Sequence, residues 1–171
     1  MRRPRSFFFI SPTPLKCRGK PKNLEFSVRR CSPQDHFVGS GDVGVNYRYT
    51  GIDHVCDGWP NWLDNLKGKI QKTTEEKFNF VLMNRYEDGQ QYMGWHRDNE
   101  RGWSTEIASL SLGAERRFLL DDSSDGERVV VKLEHGSLIC FDGSMRHCLP
   151  KTKAADLGSR VNLTFRAISP C

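Results

Sequence analysis

The chain has 171 residues, 37% of them hydrophobic and 11% aromatic, which fits one folded domain and excludes a disordered polymer. No stretch is long and apolar enough to span a membrane, and the six cysteines show neither a C-x-x-C pair nor zinc-site spacing. We therefore expect a soluble intracellular protein with free thiols, which is monomeric and has no membrane partner.

Positive charge is concentrated at the start of the chain. The net charge is +5, but residues 1–30 alone hold nine Lys and Arg side chains against a single acid, Glu25. Residues 1–44 are also rich in Pro, Gly and Ser and show no sustained period, which predicts a partly flexible basic arm ahead of a domain at residues 45–171. Such an arm suits a polyanion, because cations near phosphates release condensed counterions. A solvated tail would have the same composition.

After the arm, one helix and a series of short strands are predicted. Apolar residues recur at i, i+3, i+4, i+7 and i+11 with Pro60 near their start, which indicates an amphipathic helix. They are Trp59, Trp62, Leu63, Leu66 and Ile70. Short apolar runs follow at 78–83, 107–112, 117–120, 129–133, 137–141 and 161–168. This order indicates a mainly β (α+β) fold, a sandwich or small barrel with the helix packed outside.

The sequence His96-Arg97-Asp98 is an H-x-D pair. On an extended segment residues i and i+2 point the same way, so this imidazole and carboxylate can bind one ion. His147 is the candidate for a third ligand. Two imidazoles and one carboxylate with open positions opposite form the facial triad of non-haem Fe(II) oxygenases. The pair alone also fits a surface histidine beside an acid, and zinc accepts the same ligand types.

A strand rich in polar side chains follows His147. Alternation along residues 160–166 places one apolar face opposite one polar face, the latter made of Arg160, Asn162, Thr164 and Arg166. Arginine binds carboxylates through two parallel hydrogen bonds, and 2-oxoglutarate carries two carboxylates. A half-exposed strand would show the same alternation. Two arginines so close to a candidate metal ligand favour a cosubstrate site.

These motifs, in this order, resemble the AlkB family of Fe(II)/2-oxoglutarate-dependent nucleic-acid dealkylases. The similar segments are FNFVLMNRYEDGQQYMGWHRDNE, IASLSLGAERRF, HGSLICF, HCLPK and RVNLTFR. Their wording is most similar to the nuclear double-strand DNA repair subtype. The resemblance implies a double-stranded β-helix (a cupin-like jelly roll) with a flanking helix, and lid elements in the arm. It also implies a nuclear location if the source is a eukaryote.

The resemblance also implies roles for individual residues. His96, Asp98 and His147 match the iron ligands and catalytic centre. The positions that match 2-oxoglutarate contacts are Asn84, Tyr86, Arg160, Asn162, Thr164 and Arg166. The positions assigned to the substrate base are Tyr47, Tyr49, Thr50, Asn99 and Glu100. Phe26 lies near the position of an intercalating residue, although a core phenylalanine fits it better.

The implied reaction is oxidative demethylation of 1-methyladenine or 3-methylcytosine in DNA, with Fe(II), O2 and 2-oxoglutarate consumed and formaldehyde and succinate released. Ascorbate would serve as reductant in vitro. The implied partner is alkylated DNA, single- or double-stranded. Asn99 stands where the duplex-repair subtype has Asp, and the segment at residues 121–128 is short and acidic. RNA therefore remains an alternative substrate, and a nucleic-acid-binding module with an inactive metal site is a further alternative.

Overall fold

A computed structural model describes residues 8–10, 37–49, 52–98, 106–122, 127–153 and 157–169. The described residues form one helix, α1 at Asn61–Thr74, and twelve strands. The strands are β1 Phe8–Ile10, β2 Phe37–Gly41, β3 Asn46–Tyr49, β4 Ile52–Val55, β5 Phe80–Tyr86, β6 Met93–His96, β7 Glu106–Gly113, β8 Arg116–Asp122, β9 Glu127–Leu133, β10 Leu138–Asp142, β11 Arg146–Leu149 and β12 Arg160–Arg166. Within these residues, no helix has the length and apolar character needed to cross a membrane.

The strands form two main antiparallel sheets. A six-stranded sheet has the order β1-β10-β7-β12-β5-β2, and a four-stranded sheet has the order β6-β11-β8-β9. The hairpin of β3 and β4 stands apart as a third sheet. Since neighbours in each main sheet are mostly distant in sequence, the chain passes repeatedly from one sheet to the other. This is the predicted double-stranded β-helix, or jelly roll.

The two main sheets pack face to face around an apolar core. Ile139 and Phe141 of the large sheet and Phe118 and Leu120 of the small sheet are buried in one cluster. The rings of Phe118 and Phe141 meet with their centroids 5.5 Å apart. One end of the space between the sheets is therefore closed by apolar side chains, and the polar side chains of the site lie in the remainder.

Helix α1 covers the outer face of the large sheet. Leu63 and Ile70 of the helix are buried against Leu163 and Phe165 of β12. Both faces of β12 are thus enclosed, one by the helix and one by the small sheet. The alternation of β12 therefore reflects two buried environments, and not one buried and one solvated face.

The sequence predicted the helix and the strands β5, β7, β8, β9, β10 and β12, with differences at their ends, and its apolar runs did not include the other six strands. The helix begins at Asn61, so Pro60 and Trp59, predicted within it, lie just ahead of it. Trp62 is 41% exposed, so its placement on the buried face was wrong. The strand predicted at 78–83 runs instead over Phe80–Tyr86, where it pairs with β12 along its whole length. The amide of Phe78, ahead of the strand, donates to the Gln71 side chain at 2.8 Å. Strands β1 and β2 of the predicted arm form the two edges of the large sheet.

Candidate metal and cosubstrate site

The three proposed metal ligands meet at the inner face of the small sheet. β6 and β11 are antiparallel neighbours whose register places His96 directly opposite His147. Asp98 follows β6, and its amide donates a hydrogen bond to the carbonyl of Gly143 at 2.8 Å. A Cβ at Gly143 would lie 2.5 Å from the Asp98 carbonyl oxygen, so this close approach requires glycine. One ligand atom from each of the three residues lies within 4.8 Å of the others.

Both imidazoles are held with the same ring nitrogen toward the centre. The Nδ1 atom of His96 is 2.8 Å from the Gly94 carbonyl oxygen, and that of His147 is 2.9 Å from the Met145 carbonyl oxygen. Since a carbonyl only accepts, each Nδ1 carries the proton and donates. In the neutral ring this leaves the lone pair on Nε2, which is the form that binds a metal. Burial and the nearby His147 lower the pKa of His96, which further favours its neutral ring.

Asp98 is a buried carboxylate that forms an ion pair with Arg166. Its Oδ2 accepts a hydrogen bond from Arg166 Nη2 at 2.6 Å. Its Oδ1 lies 3.6 Å from His96 Nε2, and its Oδ2 lies 3.6 Å from His147 Nε2. Burial alone would raise the pKa of Asp98, but its interaction with His147 and the charge of Arg166 outweigh burial and hold the pKa below its ordinary value. The carboxylate therefore stays ionised, as metal binding requires.

The other end of β12 presents a cation without a carboxylate. Arg160 is 3% exposed, and its Nη2 donates to Ser111 Oγ at 2.9 Å and to Asn162 Oδ1 at 3.1 Å. Its buried Nε has no hydrogen-bond partner among the described residues. Burial lowers the pKa of Arg160 to about 10, with a further lowering from the positive Arg116, so the group is still charged at neutral pH.

Two neighbouring hydroxyl groups hold Asn162 in place between the two arginines. Ser109 Oγ donates to Asn162 Oδ1 at 2.9 Å, and Asn162 Nδ2 donates to Thr164 Oγ1 at 2.7 Å. The strand register sets Asn84 beside Asn162 and Tyr86 beside Arg160. The predicted cosubstrate residues of β5 and β12, together with Ser109 and Ser111 of β7, thus form one continuous polar surface.

A cavity of about 220 Å³ joins this surface to the triad. Every predicted metal and cosubstrate residue lines it, and so does Tyr47, which is 2% exposed and stacks on Phe80 with ring centroids 4.5 Å apart. The strand β3 also contains Tyr49. The proposed residues Thr50, Asn99 and Glu100, like Phe26, lie outside the described residues. The cavity residues that the sequence did not suggest are Leu82, Met93, Arg97, Ser109, Phe118, Phe141 and Leu149.

Arg116 is a buried cation that the sequence analysis missed. Its guanidinium donates to the carbonyls of Asp88, Gln91 and Pro150 at 3.1, 2.9 and 2.7 Å. It therefore joins the segment before β6 to the segment after β11, the two strands that carry the histidines. One signal for it exists in the sequence: alternation puts Arg116 on the same face of β8 as the apolar Phe118.

The donor set fits a facial iron site with a dicarboxylate beside it. Two neutral imidazoles and one ionised carboxylate are the ligands expected for non-haem Fe(II). These three ligands include no cysteine thiolate, which zinc-finger sites use. A buried guanidinium in this cavity whose hydrogen bonds go only to neutral side-chain oxygens among the described residues calls for an anionic ligand. Arg160 therefore fits a carboxylate of 2-oxoglutarate.

Comparison with known proteins agrees with this geometry. The profile described as the 2OG-Fe(II) oxygenase superfamily matches residues 20–166. The DNA oxidative demethylase ALKBH2 of Bos taurus is 39% identical over 144 residues, covering 76% of this chain and 51% of the bovine protein. ALKBH2 of Homo sapiens is 39% identical over 142 residues, covering 75% of this chain and 54% of the human protein.

A second group of relatives and a solved structure add to this. The alpha-ketoglutarate-dependent dioxygenase alkB homolog 3 of Mus musculus is 36% identical over 142 residues, covering 72% of this chain and 49% of the mouse protein. The solved structure of OsALKBH1 matches with a TM-score of 0.51 at 22% identity, covering 66% of this chain and 67% of that chain, and shares its fold. The chain spans about half the length of the curated relatives it matches. Since the superfamily profile covers most of the sequence, the chain belongs to the 2OG-Fe(II) oxygenase superfamily, in its AlkB family, and uses Fe(II) and 2-oxoglutarate.

Proposed function

We propose that this chain oxidatively demethylates N-alkylated bases in DNA, with 1-methyladenine and 3-methylcytosine as substrates and formaldehyde and succinate as products. The observation that carries the proposal is the placement of Arg160, a buried cation without an acid partner among the described residues, in the same cavity as His96, Asp98 and His147. The relatives named as DNA oxidative demethylases support the choice of DNA.

In this proposal His96, Asp98 and His147 hold the iron. Bound there, Fe(II) supplies the oxidising chemistry that uses O2 and 2-oxoglutarate to hydroxylate an N-methyl group, which then leaves as formaldehyde. Arg166 keeps Asp98 ionised and holds one carboxylate oxygen in place through its 2.6 Å hydrogen bond. The two Nδ1–carbonyl hydrogen bonds keep both imidazoles oriented before any metal arrives.

The cosubstrate would lie along β12. Arg160 pairs with the carboxylate that points away from the metal, because its buried positive charge is met only by the neutral oxygens of Ser111 and Asn162 among the described residues. Around that position lie Asn162 of β12 and, on the neighbouring strand β5, Asn84 and Tyr86. Thr164 holds Asn162 by accepting from its amide. Such fixed donors favour one orientation of the dicarboxylate.

The substrate base would enter the cavity from the side of Tyr47. A base must leave its stack to reach a buried metal, and a base that cannot pair leaves more cheaply. Tyr47 lines the cavity and is held by its stack on Phe80, so it can present a fixed aromatic wall to the base. Tyr49, Thr50, Asn99 and Glu100 remain proposed base contacts on the strength of the family resemblance.

A substrate panel tests the proposal. The protein is incubated with Fe(II), ascorbate and 2-oxoglutarate and with matched 1-methyladenine oligonucleotides as single-stranded DNA, duplex DNA and single-stranded RNA. We expect formaldehyde from DNA and none from an unmethylated control. Faster release from RNA would support the RNA alternative. Absence of formaldehyde with every substrate, while 2-oxoglutarate still binds, would contradict demethylation and support an inactive binding module.

Two further properties belong to the same proposal. We expect the protein to act as a monomer, since all proposed site residues come from one chain. We expect it to be nuclear if its source is a eukaryote, where its DNA substrate is. Sedimentation and localisation of a tagged protein would check these two expectations.

A further inference from the structure

The outer face of the four-stranded sheet carries two arginines stacked on one indole. Alternation along β6 and β11 turns Trp95 and Arg146 outward where His96 and His147 turn inward. The guanidinium carbons of Arg128 and Arg146 each lie 5.2 Å from the centre of a Trp95 ring. We call Trp95, Arg128 and Arg146 the Arg–Trp–Arg cluster.

Positive charge dominates the described part of this face. Arg117 and Lys132 are exposed cross-strand partners on β8 and β9. An opposing acid is Asp121, whose Oδ2 lies 4.0 Å from Arg146 Nη1, at the outer limit of an ion pair. The Arg146 side chain is 47% exposed. Arg117, Arg128, Lys132 and Arg146 are exposed cations of this face, and its end at the Arg–Trp–Arg cluster is complementary to a polyanion.

We propose that the Arg–Trp–Arg cluster binds the phosphate backbone of the nucleic acid strand whose base enters the cavity. The inference rests on the proposed function, which supplies a nucleic acid as substrate. Arginine matches phosphate geometry through its planar set of donors. The stack on Trp95 restrains both guanidinium planes, so less side-chain entropy is lost when phosphate binds.

The position of the cluster suits that occupant. Trp95 and Arg146 are the sequence neighbours of His96 and His147, so the cluster lies on the reverse side of the strands that carry the metal ligands. β6 is the last strand of its sheet, so within the described residues the inner and outer faces meet around its edge. A strand that delivers a base to the inner face can therefore continue over this edge onto the cluster.

Binding of an undamaged oligonucleotide tests the cluster separately from catalysis. The affinity of the full chain for a fluorescein-labelled single-stranded DNA is measured by anisotropy over a range of salt concentrations. The test variant is Arg128→Gln/Arg146→Gln. The matched control is Lys69→Gln/Lys72→Gln, which removes the same charge from exposed positions on α1, on the far side of the large sheet. Thermal melting verifies that both variants are folded.

We expect the test variant to bind at least about tenfold more weakly, with a salt dependence of log K reduced by about 1.4, because each phosphate contact contributes about 0.7 on single strands. The control should bind like the wild type. Trp95→Leu keeps every charge and should weaken binding without changing the salt dependence. Wild-type affinity in Trp95→Leu would overturn the role of the stack.

Besides unchanged affinity in the test variant, two results would overturn the proposal itself. One is an equal loss of affinity in the test variant and the control, which would indicate general charge attraction. The other is displacement of the oligonucleotide by poly-glutamate as effectively as by unlabelled DNA of equal charge, which would indicate an acidic protein partner. If the protein releases formaldehyde but the test variant binds with unchanged affinity, the role of the cluster is wrong and the proposed function stands. If binding depends on the cluster but no methylated substrate releases formaldehyde, the proposed demethylase function is wrong and the role of the cluster stands.

Discussion

Each end of β12 carries one buried arginine, and the two arginines differ in the charge of their hydrogen-bond partners. Arg166 and Arg160 are 4% and 3% exposed and share one face of the strand. Arg166 donates to the carboxylate of Asp98 at 2.6 Å, whereas the hydrogen bonds from Arg160 go to the neutral oxygens of Ser111 and Asn162. Removing a charge from water without a counter-charge is unfavourable. Among the described residues, the protein thus supplies the counter-charge of Arg166 and supplies none for Arg160.

The largest expected effect is at the completed pair. Asp98→Ala should abolish turnover and lower the free energy of unfolding by about 3–5 kcal/mol, since Arg166 would remain buried without its partner. Urea denaturation and formaldehyde release measure the two effects. His96→Ala is the matched control, because His96 is partly exposed and should lose turnover with little loss of stability. Equal stability of the two variants would contradict the assignment of Arg166 to Asp98.

The incomplete pair should respond in the opposite direction. Without cosubstrate, Arg160→Met should leave the free energy of unfolding unchanged or raise it by about 1–4 kcal/mol, because an uncompensated buried charge is replaced by an apolar side chain. Its KM for 2-oxoglutarate should rise roughly tenfold to hundredfold, since hydrogen bonds to charged groups contribute about 1.5–3 kcal/mol.

Arg166→Met is the comparison for this substitution. It should destabilise the protein, since it leaves Asp98 buried without its cation. If both arginine substitutions destabilise equally, then Arg160 already has an anionic partner in the protein, and the proposed cosubstrate contact is wrong.

Filling the site should stabilise the protein by mass action. A divalent ion such as Mn(II) at about 100 times its dissociation constant should add roughly 2.7 kcal/mol to the free energy of unfolding. Adding 2-oxoglutarate should raise the melting temperature further in the wild type and not in Arg160→Met. Calorimetric melting measures both shifts. A shift with Mn(II) that persists in His147→Ala would place the ion elsewhere.

The smallest effect is expected at the third buried arginine. Arg116→Lys should lower the free energy of unfolding by roughly 1–3 kcal/mol, because lysine cannot reach all three carbonyls of Asp88, Gln91 and Pro150. Its KM for 2-oxoglutarate should change far less than that of Arg160→Met. An equal rise in KM would instead make Arg116 part of the anion site.

Sequence predicted the parts of this arrangement that depend on period. Alternation along β12 placed Arg160, Asn162, Thr164 and Arg166 on one face, and helical spacing placed α1. It did not predict that Arg166 pairs with Asp98, because the contact joins residues 68 positions apart through the packing of two sheets. The roles of the metal and cosubstrate residues remain predictions that the experiments above test.

The strands that carry the histidines were the hardest elements to predict. β6 and β11 have four residues each, and Gly94 interrupts the alternation of β6. Their pairing depends on neighbours that are distant in sequence, which no local pattern encodes. Trp62 shows the opposite error: its helical spacing matches the apolar face, but its side chain is 41% exposed. The local sequence pattern therefore missed the short strands β6 and β11, whose place in the fold depends on pairing with distant strands.

Each histidine of the pair is oriented by the carbonyl two residues before it, Gly94 for His96 and Met145 for His147. The orientation of each imidazole ring is thus fixed within three consecutive residues. The rest of the fold has only to place these two three-residue units beside each other. The segment between them can then lengthen or shorten during evolution as long as β6 and β11 keep their pairing. A slip of a single residue in that pairing would turn one imidazole to the solvent face and dismantle the centre while leaving both units intact.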